Sequence, residues 1–190
     1  MPLRQLVQKL LLISLPLFAL SACAAVSGKD ASPKKGDVVW LGLMGYNYSD
    51  HYIDNYSVND AGGGGLRVSS PTSGGGGITC CVKWKLGQSL PVTVRVRWQS
   101  DACRYIKRVD DEDFPAAKVF YSEKDVELTG PIPNDPRYFE THFYPDGHIE
   151  VAVADRVRPP QLRLPRTHDS RRPGVPDLPE CTPEQMKTGQ

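Results

Sequence analysis

The sequence predicts a mainly β domain: an antiparallel sheet or small β-sandwich built from hairpins, with glycine-rich loops and an irregular Pro/Arg-rich tail. Three observations carry that expectation. Val92, Val94, Val96 and Trp98 alternate with Thr93, Arg95 and Arg97, the period of a strand with one buried and one solvated face. Residues 138–144 (YFETHFY) and 148–154 (HIEVAVA) flank Pro145-Asp146-Gly147, where proline presets one turn angle and glycine accepts a positive φ. No amphipathic pattern of three helical turns occurs in the chain.

The ordered domain is expected over 37–155. Val38, Val39, Trp40, Leu41, Leu43 and Met44 form an apolar run broken by Gly42 and Gly45, read as a largely buried strand. Residues 53–58 (IDNYSV) form a second strand, with Asn59-Asp60 as its turn. The glycine tracts 62–65 and 74–77 read as mobile loops between strands. Neither precedes the Lys-Ser/Thr of a phosphate-binding loop, so nucleotide binding is not expected. Residues 78–84 (ITCCVKW) form the next strand, and a turn over 85–89 leads to the valine strand; the two are expected to pair as an antiparallel hairpin. Further along come a short strand at Val119-Phe120-Tyr121 and a loop over 130–136. From Arg156 to residue 190 the composition turns to Pro and Arg, which predicts an extended or disordered tail.

The N-terminus carries a different message. Arg4 and Lys9 precede an apolar stretch over 10–20, and Leu20-Ser21-Ala22-Cys23 closes it. A positive start, a short apolar run and small residues before a cysteine are the marks of a lipoprotein signal peptide over 1–22, with Cys23 as the lipidated residue. The run is shorter than the roughly 20 apolar residues a spanning helix needs, and Pro16 interrupts it. Ala24, rather than aspartate, follows Cys23. By similarity to the enterobacterial sorting rule, that implies an outer-membrane lipoprotein facing the periplasm. Residues 23–36 read as a flexible tether.

Removing 22 of 190 residues leaves 168, enough for one domain with a real core. Without Arg4 and Lys9, 21 Lys and Arg stand against 22 Asp and Glu. That balance excludes a global nucleic-acid-binding charge excess. Four cysteines remain besides Cys23, namely Cys80, Cys81, Cys103 and Cys181, and an even number in an oxidising compartment points to disulfides. Neighbouring Cα atoms lie about 3.8 Å apart, below the roughly 4.4–6.8 Å usual for disulfides. No bond is therefore expected between Cys80 and Cys81. Cys103 is expected to pair with one of them, and Cys181 to take the other or stay free.

No catalytic assembly emerges from the motifs. A G-x-S-x-G elbow is absent, and His51, His142, His148 and His168 form no metal-binding pair. No metal, no cofactor and no enzymatic activity are expected. The acidic cluster Asp110, Asp111, Glu112 and Asp113 lacks the glycine turn and spaced ligands of a calcium loop. It reads as a solvated or partner-facing loop.

Several features together resemble a known family. They are Tyr46-Asn47-Tyr48-Ser49, Tyr56-Ser57-Val58-Asn59, the glycine-rich approach to Cys80-Cys81-Val82, Lys83-Trp84, the valine strand ending in Trp98, and the hairpin from His142 to Gly147. Over about 38–155 the chain is similar to a domain-of-unknown-function family of proteobacterial lipoproteins. Some members are encoded beside type VI secretion phospholipase effectors. The resemblance implies an immunity protein whose partner is a secreted toxin, a lipase, and it supplies no catalytic residues. The alternative is a structural or assembly lipoprotein of the envelope without a toxin partner.

Overall fold

The computed structural model describes residues 33–187. The expected signal segment, Cys23 and most of the tether lie outside the described residues. From Lys34 onward the chain forms one compact unit. Its strands are β1 (Val38–Asn47), β2 (Ile53–Val58), β3 (Ala61–Leu66), β4 (Gly75–Lys85), β5 (Val92–Val109), β6 (Glu112–Leu128), β7 (Tyr138–Phe143) and β8 (Ile149–Ala154). A short helix, α1 (Pro183–Lys187), ends the described chain. The strands make two four-stranded sheets, ordered β4-β1-β7-β8 and β3-β2-β5-β6. β1 and β7 are parallel, and the other pairings are antiparallel. The expected mainly β class is what forms, as a sandwich.

Period-two patterning builds the core. Leu41 and Leu43 of β1, Phe139 and Phe143 of β7 and Val153 of β8 face Tyr56 and Val58 of β2, Val94 and Val96 of β5 and Leu128 of β6. The alternate residues of β5 stay outside, where Arg95 pairs with Asp125 and Arg97 with Glu123 of β6. Such exposed cross-strand pairs add a few tenths of a kcal/mol, up to about 1. Both expected hairpin turns form: Asn59 and Asp60 take φ of 46° and 68°, and Gly147 takes 81°.

Two local expectations are corrected. The strands around Cys80 and Val94 do not pair with each other: β4 bonds to β1 in one sheet, while β5 bonds to β2 and β6 in the other. The chain crosses the sandwich between them, so Val82 and Trp84 enter the shared core from one sheet and Val94 and Val96 from the other. The glycine tracts are strand from Gly62 to Gly65 and from Gly75 to Gly77, not mobile loop. A Cβ on Gly63 would stand 2.0 Å from the Tyr56 ring, and one on Gly76 would stand 2.4 Å from a Leu66 methyl. Neighbouring side chains already fill those positions, so only glycine lets the backbone pass.

The Pro/Arg-rich tail is extended and packed down. Tyr52 and Val68 donate backbone hydrogen bonds to Ser170 (2.7 Å) and Asp169 (3.0 Å). Arg172 is buried, its Nη2 donating to the Asn47 carbonyl (2.9 Å) and the Ser69 hydroxyl (2.8 Å), its Nη1 to the carbonyls of Ser69 and Pro165. Burial pulls its pKa below the usual arginine value. A planar guanidinium with several donors is suited to satisfying so many carbonyls at once. Leu162 and Leu164 lie on the outer side of the first sheet, over Met44, Tyr46 and Tyr48. This second cover explains why β7 is buried on both faces from Phe139 to Phe143.

Candidate functional site

β2 pairs with β5 only over Val96–Trp98, yet β5 and β6 stay paired with each other as far as Val109↔Glu112. Beyond the sheet they continue as a two-stranded arm, and every residue from Ile106 to Pro115 is exposed. The acidic cluster sits at its tip. Asp110 and Asp111, at φ of 51° and 63°, are the turn, and Glu112 and Asp113 open β6. The sequence expectation of a loop over 110–113 is corrected to a tight hairpin end. Aspartate tolerates the left-handed region that such a turn requires.

The four carboxylates are not equivalent. Arg108 donates through Nε and Nη2 to the two oxygens of Asp113, at 2.8 and 3.1 Å. That pairing raises the pKa of Arg108. Asp110, Asp111 and Glu112 have no cation partner among the described residues. The arm also exposes Ile106 (64%), Phe114 (45%) and Val109 (42%). These apolar residues were not singled out in the sequence, because the register shift between Gln99 and Asp101 interrupts the alternation that begins at Val92. The signal that could have found them is Asp-Asp between Val109 and Phe114, a turn pair inside a strand-forming stretch.

A free two-stranded ribbon is marginally stable, and this one is fastened at its base. Cys103 is disulfide-bonded to Cys181, with Cα atoms 4.9 Å apart. On either side Arg104 donates to the Pro179 carbonyl (2.8 Å), and Cys181 donates to that of Arg104 (2.9 Å). Beside this junction lies a cleft of about 340 Å³, lined by His51, Tyr52, Gln99, Ala102, Val119 and Leu178 among others.

The cysteine pairing corrects the sequence reading. Cys80 bonds to Cys81, with Cα atoms 3.1 Å apart. Leu41↔Val82 and Leu43↔Thr79 leave these two residues opposite Gly42 alone, a β-bulge. The usual Cα range describes cysteines brought together from separate places. Adjacent ones share a peptide bond and can close a small ring directly. Cys103, on β5 in the other sheet, is taken by Cys181 instead.

A second constellation lies under the tail. Glu140 and His142 of β7 are buried, and the His142 ring stacks on Tyr46 at 4.4 Å. Tyr46 donates to the Arg158 carbonyl (2.8 Å) and lies 3.3 Å from Glu140 Oε1. The Gln161 amide donates to the Tyr48 hydroxyl (2.8 Å), which shares a hydrogen bond with His142 Nδ1 at 3.1 Å. His142 Nε2 then faces Glu140 Oε2 at 3.8 Å, and Arg158 reaches the same oxygen at 3.8 Å. Burial first, then the Glu140 charge, pushes the Tyr46 pKa well above the ordinary phenol value. The arrangement binds the tail to the sheet. His148 is on the exposed rim instead, stacked on Tyr144 and paired with Asp146.

Residues 46–151 match the model of a family described as proteins of unknown function, DUF3304. The chain belongs to that family. The DUF3304 segment runs from the end of β1 into β8 and takes in the whole arm, the Cys80–Cys81 pair and Glu140 with His142; Arg172 and Cys181 fall outside it. No curated protein and no solved structure matches the chain.

Proposed function

We propose that this DUF3304 protein is a periplasm-facing lipoprotein, anchored through Cys23, that binds and neutralises a lipase effector of type VI secretion. The observation that carries the reading is the arm. A ribbon braced by a disulfide presents Ile106, Val109 and Phe114 beside unpaired Asp110, Asp111 and Glu112. Apolar anchors supply binding energy at a protein interface, and a concentrated charge at a projecting tip speeds encounter with an oppositely charged partner. The resemblance to lipoproteins encoded beside phospholipase effectors supplies the partner class.

Co-expression of the neighbouring effector in the periplasm tests it. Wild type is expected to protect the cell and to form a stoichiometric complex. Asp110→Asn, Asp111→Asn and Glu112→Gln together keep the turn, because asparagine also accepts positive φ. They spare Asp113 for Arg108, and should slow association about tenfold at low salt. Ile106→Ala with Phe114→Ala should weaken the complex about tenfold or more. Equal killing with and without the protein, and no complex with purified effector, would replace this reading by a structural envelope lipoprotein.

A further inference from the structure

The outer face of β1 and β4 carries an apolar strip that is left exposed among the described residues. Trp40, Val38 and Ile78 are 60%, 58% and 54% exposed. Trp40 pairs in register with Lys83, and Val38 with Lys85. The Lys83 ammonium stands 5.2 Å over the Trp40 ring. Ile78 leans across Gly42, its Cγ2 only 2.8 Å from where a Cβ would stand. Gly42 separates Trp40 from Met44, opposite which Ile78 lies, so the apolar surface is continuous from Val38 to Ile78.

The chain enters the domain beside this strip. Gly36 donates to the Leu86 carbonyl (2.8 Å), and the Lys35 side chain packs on Gly87. Lys35 thus joins Lys83 and Lys85 on the side of Val38 and Trp40, with Lys34 next to it in the chain. None of the four is paired with a carboxylate among the described residues, and Asp37 is the nearest acid in sequence.

We propose that this strip is a docking surface for an anionic phospholipid bilayer, with Trp40 at headgroup level and the four lysines on the phosphates. Two observations select a bilayer over a protein partner. Lysine is depleted from protein interfaces, whereas exposed tryptophan ringed by lysine is the composition of a membrane–water boundary. The strip also lies where the segment that leads to Cys23 joins the domain. The inference rests on the lipoprotein reading and is separate from the toxin, whose candidate surface is the arm on the other sheet.

Residues 34–190 without any acyl group make the test independent of Cys23. That unit holds both apolar clusters within itself, and near-ultraviolet circular dichroism checks that each variant is folded. Trp84 is buried and Trp98 half-buried, so a shift in emission reports Trp40. Phosphatidylglycerol-containing vesicles should shift it to the blue and sediment the protein, and pure phosphatidylcholine vesicles should do so far less. Lys83→Gln and Lys85→Gln should each weaken binding about fivefold, and Trp40→Ala should abolish most of it. An unshifted emission with anionic vesicles overturns the proposal, as does sedimentation indifferent to all three substitutions. Lipid-free dimerisation lost in Trp40→Ala would assign the strip to a second copy and overturn it equally. Acyl labelling of Cys23 in cells is read separately, so failure of the anchor is not confused with failure of the strip.

Discussion

The Tyr56 ring lies flat across Gly63 and edge-on to Phe143, with ring centroids 5.4 Å apart. It is almost fully buried and cannot retreat without displacing Phe143. A methyl on Gly63 would overlap it, whereas one on Gly62 would meet nothing within 4 Å. Gly63→Ala should therefore cost about 1–3 kcal/mol, while Gly62→Ala should stay within about 0.5 kcal/mol of wild type. Urea unfolding of the two variants side by side checks this; equal midpoints would mean the backbone moves aside more easily than a packed core allows.

The base of the arm and the tail are held together at Cys103 and Arg104, and by Lys118, which donates to the Met186 carbonyl (3.1 Å). Cys103 and Cys181 are 78 residues apart, so their bond closes a long loop, and its removal should cost about 2–4 kcal/mol. Replacing both by serine should also quicken amide exchange at Arg104 and Cys181, whose bonds clasp the tail to β5. Cys80 and Cys81 are adjacent, and their bond constrains almost no chain entropy. Replacing that pair should move the unfolding midpoint far less. Non-reducing peptide mapping is expected to return Cys103–Cys181 as the cross-link between distant peptides. A link from Cys103 to the Cys80-Cys81 peptide would contradict both pairs of the structure.

The molecule as a whole keeps three phenols out of water: Tyr46 and Tyr48 between the first sheet and the tail, and Tyr56 between the sheets. Burial is the leading cause that raises all three pKa values. In the unfolded chain tyrosine ionises near pH 10. Above that pH the unfolded state has lost protons that the folded state still holds, so stability falls as pH rises. Each tyrosine adds a slope of up to about 1.4 kcal/mol per pH unit. Denaturation from pH 8 to 11.5 should show a plateau, then a decline that begins near pH 10. Tyr56→Phe should flatten part of it by removing one titrating phenol, whose hydroxyl is buried without a hydrogen-bond partner among the described residues.

The sequence by itself determined what depends on residues close together in the chain. The alternation from Val92 to Trp98, the Asn59-Asp60 turn and the hairpin around Gly147 express side-chain period and local backbone freedom, and each was legible. So was the acidic cluster, though as a loop and not as the end of an arm. Tertiary structure alone decided which strands became neighbours: β4 and β5 follow one another yet line opposite sheets, because both have an apolar face that buries best against the other. Cys103 met Cys181 because the tail returns to β5. The glycine tracts became strands because Tyr56 and Leu66 occupy the space of the missing side chains, a fact no local pattern contains. The tail packed down because Arg172, Leu162 and Leu164 found partners more than 100 residues earlier in the chain. Period and turn chemistry are local physics, whereas the choice of partner is settled by the competition of distant surfaces for burial.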